Sequence, residues 1–413
     1  MNVLMLGNGF DLNYGLPTKY INFLNTVSFV SQVDKLAFTV GSVFGNKELQ
    51  QADKGIADSY RKYAEVYDGI VVDAEAVATL KALAQNNLWF SFLLKSFNKD
   101  IGWIDFEREI STVLHGLQDF LPTIGTRFVG KELPVNPIHR YIIVTFDFFY
   151  TKVTEPGVTS AGRPYGSEYS VKDEFVTEYP YGSGNKVVNK EKIIESLKKE
   201  LLELAEGLKL YLQYFVEKAV VRLVNRNYLL PLPALSGAEN VVTFNYTNTY
   251  EQIYQTGEVY HIHGSLQDRI ILGVNPDDSD KAETVDTLFL PFKKYYQRVI
   301  YHSDIDYLEW VSQSKKNVSL VVMGHSLDET DKDIIMQLFD AAKEITVLFF
   351  NEEVEASLVA NLIKIYGKEQ FDKLRDEKKL RFLNQNMDFN GFAEDRSAKE
   401  FEAQMRALRS IRF

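Results

Sequence analysis

The chain has 413 residues, 45% hydrophobic and 25% charged, which suits a globular protein with a sizeable core. Lys plus Arg number 46 and Asp plus Glu 57, a net charge of −11 that disfavours general nucleic-acid binding, since phosphate contacts need a basic footprint. Cysteine is absent, so structural disulfides, cysteine-ligated zinc and thiol nucleophiles are excluded.

Val3–Leu6 reads as a short buried strand ending in a turn at Gly7-Asn8-Gly9. A helix is expected from near Pro17–Thr18 through Tyr20, Ile21 and Leu24, because Pro and Thr both suit a helix start. Residues from about 25 to 130 read as mainly helical, with helical periodicity in VVDAEAVATLKALAQNNLWFSFLLKSF and DFEREISTVLHGLQDFL and no convincing strand. His139–Thr151 fits a strand or a buried helix. Residues 152–188, rich in Gly, Ser, Pro and Tyr, read as a long loop or a pair of irregular hairpins. The run NKEKIIESLKKELLELAEGLKLYLQYFVEKAVVRLV is an amphipathic helix, expected to pack across a sheet.

From residue 240 strands and helices alternate. VVTFN, VYHIHG, IILGV, SLVVMG and ITVLFF are strand candidates, and DKDIIMQLFDAAK and VEASLVANLIKIYG helix candidates. Alternation of this kind implies a parallel sheet. The expected architecture is a Rossmann-like α/β fold with large helical insertions. Residues 1–24 and 236–413 are expected to form a nucleotide-binding core, and 25–235 a mainly helical insertion. The N-terminus lacks the basic region and apolar stretch of a signal peptide. No apolar run approaches the ~20 residues that span a bilayer. A cytoplasmic location without membrane contact is expected.

Three apolar runs stop abruptly at Gly, Asn, His or Ser, and three of the six histidines lie at those stops. In open α/β sheets ligands bind at the carboxyl ends of strands. After the first strand, Gly7, Asn8 and Gly9 fit either a tight turn or a phosphate loop, with Leu12 where the third glycine of the dinucleotide fingerprint would stand. Asp11 is suited to a ribose hydroxyl or to capping a turn. Asn245 in FNYT sits past a strand end, where a carboxamide can orient a water or bind a ribose hydroxyl. In HIHGS, His261 and His263 would share one face if both lay on a strand. His261 reads as a hydrogen-bonded core histidine and His263 as a general base. No neighbouring cluster completes a metal site, so no metal is expected. In GHSLDETD, Gly324 gives a turn, Ser326 and nearby amides suit a ribose or phosphate, and Asp328 to Asp331 suit the cap of the next helix. The second Gly of a nucleophile elbow is replaced by Asp328. Trp89, Trp103, Asp105 and Glu107 read as packing and surface charge, since positions two apart on a helix do not share a face.

In this order LGNGFDLNYGLPTKYINFL, WIDFERE, VTFNYTNTYE, HIHGS and GHSLDETDKDI resemble the bacteriophage abortive-infection AbiH family, from residue 3 to about 350. More distantly, the chain is similar to the sirtuin-like NAD-binding domains of phage-defence effectors. GNG resembles their Gly-rich first loop. Thr243 and Asn245 match their T-x-N-Y-D string, His263-Gly264-Ser265 their H-G-S string, and Gly324-His325-Ser326-Leu327 their G-Y-S-L string. Thr247 stands where those enzymes have Asp, His325 replaces Tyr, and the first loop lacks the full A-G-x-S pattern.

The resemblance implies a defence effector that binds NAD and cleaves its nicotinamide–ribose bond. Asn245 and His263 would be the catalytic pair. Gly7, Asn8, Gly9 and Asp11 would line the phosphate and ribose side, with Thr243, Gly264, Ser265, Gly324, His325 and Ser326 completing the nucleotide site. A phage-derived trigger and self-association are expected partners of such an effector; nucleic acid is not. The departures motivate an alternative, a nucleotide sensor that switches partners or oligomeric state without turnover.

Overall fold

The computed structural model describes residues 1–35, 37–97, 106–124, 131–132, 136–152, 157–158, 164–165, 168–178, 186–274, 287–303, 305–314 and 317–386. At its centre is a six-stranded parallel sheet. The strands are β1 (Asn2–Leu6), β2 (Asn240–Thr243), β3 (Glu258–His261), β4 (Val318–Met323), β5 (Ala342–Phe349) and β6 (Leu380–Asn384). Their spatial order is β3-β2-β1-β4-β5-β6, all parallel.

β1 lies inside the sheet, pairing Leu6 with Thr243 on one side and with Met323 on the other. A strand with partners on both edges and cover on both faces must be apolar throughout, which is why its sequence does not alternate. Its side chains do alternate in destination. Leu4 and Leu6 join Val241, Val321 and Met323 in a core shared with the helices between β1 and β2. Val3 and Met5 join Val242, Leu320, Val322 and Val347 in a second core, with residues of Lys332–Ala341, Glu352–Tyr366 and Lys368–Asp376.

Four helices position the strand-end residues: α1 (Asn8–Asn13), α2 (Phe106–Phe120), α3 (Lys294–Tyr301) and α4 (Lys332–Ala341). α2 comes from the segment between β1 and β2, together with helices Tyr20–Gln32, Lys54–Tyr67, Ala74–Asn86, Leu88–Phe97 and Lys190–Tyr211. Among the described residues no helix is long and apolar enough to cross a membrane.

Several expectations are corrected. GNG is not a turn. Gly7, with extended backbone, caps α1 directly. IILGV is not a strand of the sheet; only Val274 forms a bridge, to Lys293. The segment is apolar because it is buried, and its backbone is satisfied from elsewhere. Tyr246 Oη donates to the Ile271 carbonyl, and Gln297 to that of Leu272. β6 was not anticipated, since Arg381 and other partly exposed residues break the apolar run at this sheet edge. His139–Thr151 divides between helix Pro137–Thr145 and strand Phe149–Lys152. The mainly helical stretch also holds an antiparallel pair, Phe38–Thr39 with Val71–Val72. The amphipathic run forms Lys190–Tyr211, a π-helical segment Leu212–Glu217 and Lys218–Asn225. Lys190–Tyr211 packs on helices Ala74–Asn86, Leu88–Phe97 and Tyr20–Gln32 rather than straight across the sheet. Much of the 152–188 loop lies outside the described residues.

The start of α1 and the loop after β4 interlock. Gly9 N–H donates to the Gly324 carbonyl at 2.8 Å, and Gly324 has φ of 70°. A Cβ on Gly324 would stand 2.2 Å from the Phe10 nitrogen. Gly324→Ala is therefore expected to cost about 2 kcal/mol or more in a urea titration. A loss below ~0.5 kcal/mol, the range of neutral surface changes, would show that this contact yields.

Candidate functional site

The carboxyl ends of β3, β2, β1 and β4 are neighbours, so the residues that follow them meet in one region. At its centre is a buried charge cluster. Asp331, just before α4, accepts at Oδ1 from Lys294 Nζ at 2.9 Å and faces His263 Nε2 at 3.0 Å. Its Oδ2 faces His325 Nε2 at 3.4 Å. Lys294, on α3, has no exposed surface and pairs also with Glu107 Oε2 at 2.7 Å. Glu107 is in the first turn of α2.

The protonation states follow from these contacts. Burial opposes charge on Asp331, but Lys294 and His263 outweigh it and hold the carboxyl well below its usual range. Burial opposes charge on Lys294 as well, and Asp331 and Glu107 outweigh it, raising the ammonium's pKa. His263 is lowered to about 4, first by burial and then by the Lys294 charge, against the pull of Asp331. A neutral ring facing a carboxylate through Nε2 carries its proton there. Nδ1 is then unprotonated, and among the described residues it has no hydrogen-bond partner. This is the logic of a His–Asp pair, in which the carboxylate fixes the tautomer and stabilises the imidazolium when it forms. His325 is set the same way: its Nδ1 accepts from the Leu327 amide, so Nε2 carries the proton toward Asp331. Leu327 itself has φ of 52°, a strained setting for a buried leucine that clusters at functional sites.

A second buried cluster lies beneath α1. Asp11 is 1% exposed; Thr247 Oγ1 donates to its Oδ2 at 2.6 Å, and its Oδ1 has no partner. Burial pushes Asp11 up to about 7, partly opposed by the hydrogen bonds from Thr247 and Thr249. His261 has Nδ1 at 2.8 Å from the Asn245 carbonyl and Nε2 at 2.7 Å from Glu251 Oε1. Both partners accept, so the ring donates from both nitrogens as an imidazolium. Burial lowers its pKa, but the Glu251 hydrogen bond and charge outweigh it and leave the net shift upward.

The sequence-predicted residues divide between these settings. Asn245 is 7% exposed and its Oδ1 has no partner, while its neighbours Phe244 and Tyr246 place their rings 5.1 and 6.4 Å from that of His263. The Asn245 and His263 side chains form no hydrogen bond with each other. Thr243 Oγ1 accepts from the Asn245 amide. Gly7 N–H donates to the Met323 carbonyl and Gly9 N–H to that of Gly324, so both amides are committed inside the protein. The exposed Asn8 side chain is tied to Thr18. Asp11 faces inward rather than toward solvent. Gly264 has φ of 77° and packs on the Arg269 carbonyl, and Ser265 accepts from the Gln267 and Asp268 amides, so both build a turn. Ser326 is exposed, and its carbonyl accepts from Asn361. His261 and His263 do not share a strand face, because β3 ends at His261.

Three residues of the charge cluster escaped the sequence reading. Glu107 is buried, not surface charge; Asp105, two positions before it, lies outside the described residues, as does Trp103. Trp89 is packing, as expected, with Nε1 donating to the Leu197 carbonyl. Asp331 caps no helix with its side chain, because its oxygens serve the histidines and Lys294. Lys294 carried no motif. Its one signal was a Lys-Lys pair within an otherwise apolar and aromatic stretch, LFLPFKKYY.

The family model described as bacteriophage abortive infection AbiH matches residues 3–351. No curated protein and no solved structure matches the chain.

Asp11 gives a pH test. Its folded pKa of about 7 lies above the ordinary 3.8, so the folded state keeps a proton that the unfolded chain releases. The stability this contributes is full below the unfolded pKa and is lost as pH rises toward 7. Between about pH 5 and pH 8 the wild type is expected to lose roughly 2–3 kcal/mol more than Asp11→Asn. Urea titrations at the two pH values measure it, and equal pH dependence in both proteins would contradict the assignment.

Proposed function

The chain belongs to the bacteriophage abortive infection AbiH family and so has a role in phage defence, and from that premise we propose that it acts by binding NAD and hydrolysing the nicotinamide–ribose bond. Two features support the nucleotide reading. The strand order 3-2-1-4-5-6 is that of doubly wound dinucleotide-binding folds, which favours a Rossmann-like, sirtuin-like core. In such folds the ligand lies beyond the carboxyl ends of the strands, where the order reverses. Here that reversal falls between β1 and β4, beside the charge cluster.

The observation that carries the catalytic reading is the setting of His263, neutral, with Nε2 directed at an ionised Asp331 and Nδ1 left as a base. In the proposed reaction a water oxygen bonds to the ribose anomeric carbon as its bond to the nicotinamide nitrogen breaks. The bonding electrons leave with nicotinamide. The water proton passes to His263 Nδ1, and Asp331 stabilises the imidazolium. The carboxamide oxygen of Asn245, buried without a partner, is an acceptor suited to a water proton or a ribose hydroxyl. The committed amides of Gly7 and Gly9 do not suit a pyrophosphate in this conformation, so phosphate holding is assigned elsewhere. The proposed place of action is the cytoplasm, with a phage-derived trigger.

A second reading, nucleotide sensing without turnover, is favoured by the burial of Asn245 and His263, only 7% and 5% exposed. Such a protein would answer its ligand by changing partners or self-association.

Nicotinamide release from NAD, with and without phage lysate, tests the first reading. Wild type is expected to exceed His263→Ala by ~100-fold or more, the scale of general-base catalysis. Equal background rates with and without lysate would sink it. Calorimetry with NAD and ADP-ribose separates the second reading, which requires binding without release.

A further inference from the structure

A dinucleotide brings two phosphoryl charges, and with the amides of Gly7 and Gly9 committed inside the protein a buried cation is the remaining way to hold them. The ammonium of Lys294 lies 3.4 Å from His263 Nε2, fully buried between two carboxylates. These carboxylates differ in origin. Asp331 follows β4 and is fixed by both His263 and His325. Glu107 arrives from the first turn of α2, between β1 and β2. Phe106 next to it is held by stacking on Tyr20, with ring centroids 4.1 Å apart. A second cation points the same way. Arg298, four residues along α3 and so on the same face as Lys294, is 2% exposed; one of its nitrogens pairs with Asp333 and Nη1 has no partner. An unpartnered, buried guanidinium nitrogen is a donor waiting for an acceptor.

Resting on the nucleotide reading, we propose that Lys294 is the anion-binding residue of this site and that Glu107 is its resident counter-ion, displaced by a phosphoryl group of the ligand. The exchange is balanced in charge. A buried ammonium left alone is strongly unfavourable, but replacing one anionic oxygen by another keeps it paired. Lysine holds phosphate as a point charge and needs no fork geometry to do so. Arg298 Nη1 supplies a second donor to the incoming oxygens. Because Glu107 sits in the first turn of α2, its release frees that turn, so ligand entry and movement of this segment are one event. The closed arrangement is then the resting state.

Binding of inorganic pyrophosphate and of ADP-ribose, measured by calorimetry, tests this. Glu107→Gln keeps the shape and removes the competing charge. It is expected to bind both about tenfold or more tighter than wild type, and Glu107→Gln/Lys294→Gln to lose the gain. Equal affinity of wild type and Glu107→Gln for both probes overturns the inference, and if that shared affinity for ADP-ribose is tight the nucleotide reading survives. A gain for pyrophosphate without any ADP-ribose binding supports the anion site and sinks the nucleotide reading. A measurement on the unaltered protein guards against misfolded variants. Saturating pyrophosphate is expected to speed amide hydrogen exchange in the first turn of Phe106–Phe120, and unchanged exchange there overturns the displacement.

Discussion

A lysine ammonium with no exposed surface is the constraint around which the strand ends are organised. Removed from water, Lys294 must have anionic partners, and it has two, Asp331 and Glu107. Breaking such a pair by deleting one partner is typically worth about 3–5 kcal/mol, because a buried charge is left alone. The carboxylates therefore fix the relative positions of α3, the turn before α4 and the first turn of α2. Asp331 in turn sets His263, and burial together with the nearby positive charge of Lys294 keeps that imidazole neutral at rest.

The same constraint explains how distant parts of the chain come to share one site. Glu107, His263, Lys294 and Asp331 derive from three segments: one between β1 and β2, one between β3 and β4, and one after β4. The sheet brings the last two together, since the order β3-β2-β1-β4 gathers those ends. The ion pair brings in the first. Separately, Asp11 and Thr247 join α1 to the segment after β2, since Thr247 donates to the Asp11 carboxylate.

The fold was legible in the sequence where an element is buried on both sides. β1 and β4 carry apolar runs at Val3–Leu6 and Leu320–Met323, and β2 and β5 shorter ones at Val241–Val242 and Val347–Phe349. β6 was not legible, because an edge strand mixes exposed and buried positions and carries no clear period. IILGV misled for the converse reason: burial without sheet pairing gives the same composition. For the site, His263 was legible because histidine directly before Gly-Ser at a strand end leaves the strand for the strand-end region. Glu107, Lys294 and Asp331 were not. Their role exists only across long sequence separations, and locally each is an ordinary charged residue on or beside a helix. The glycines Gly9 and Gly324 were recognised as special, but what requires them is the contact between the start of α1 and the loop after β4.

The cluster holds His263 neutral with its proton on Nε2, facing an ionised Asp331. Nitrogen-15 NMR of the labelled imidazole measures this directly. A neutral ring with protonated Nε2 is expected near pH 7, titrating close to 4. A ring that titrates at or above the ordinary 6.5, or that carries its neutral proton on Nδ1, would contradict it.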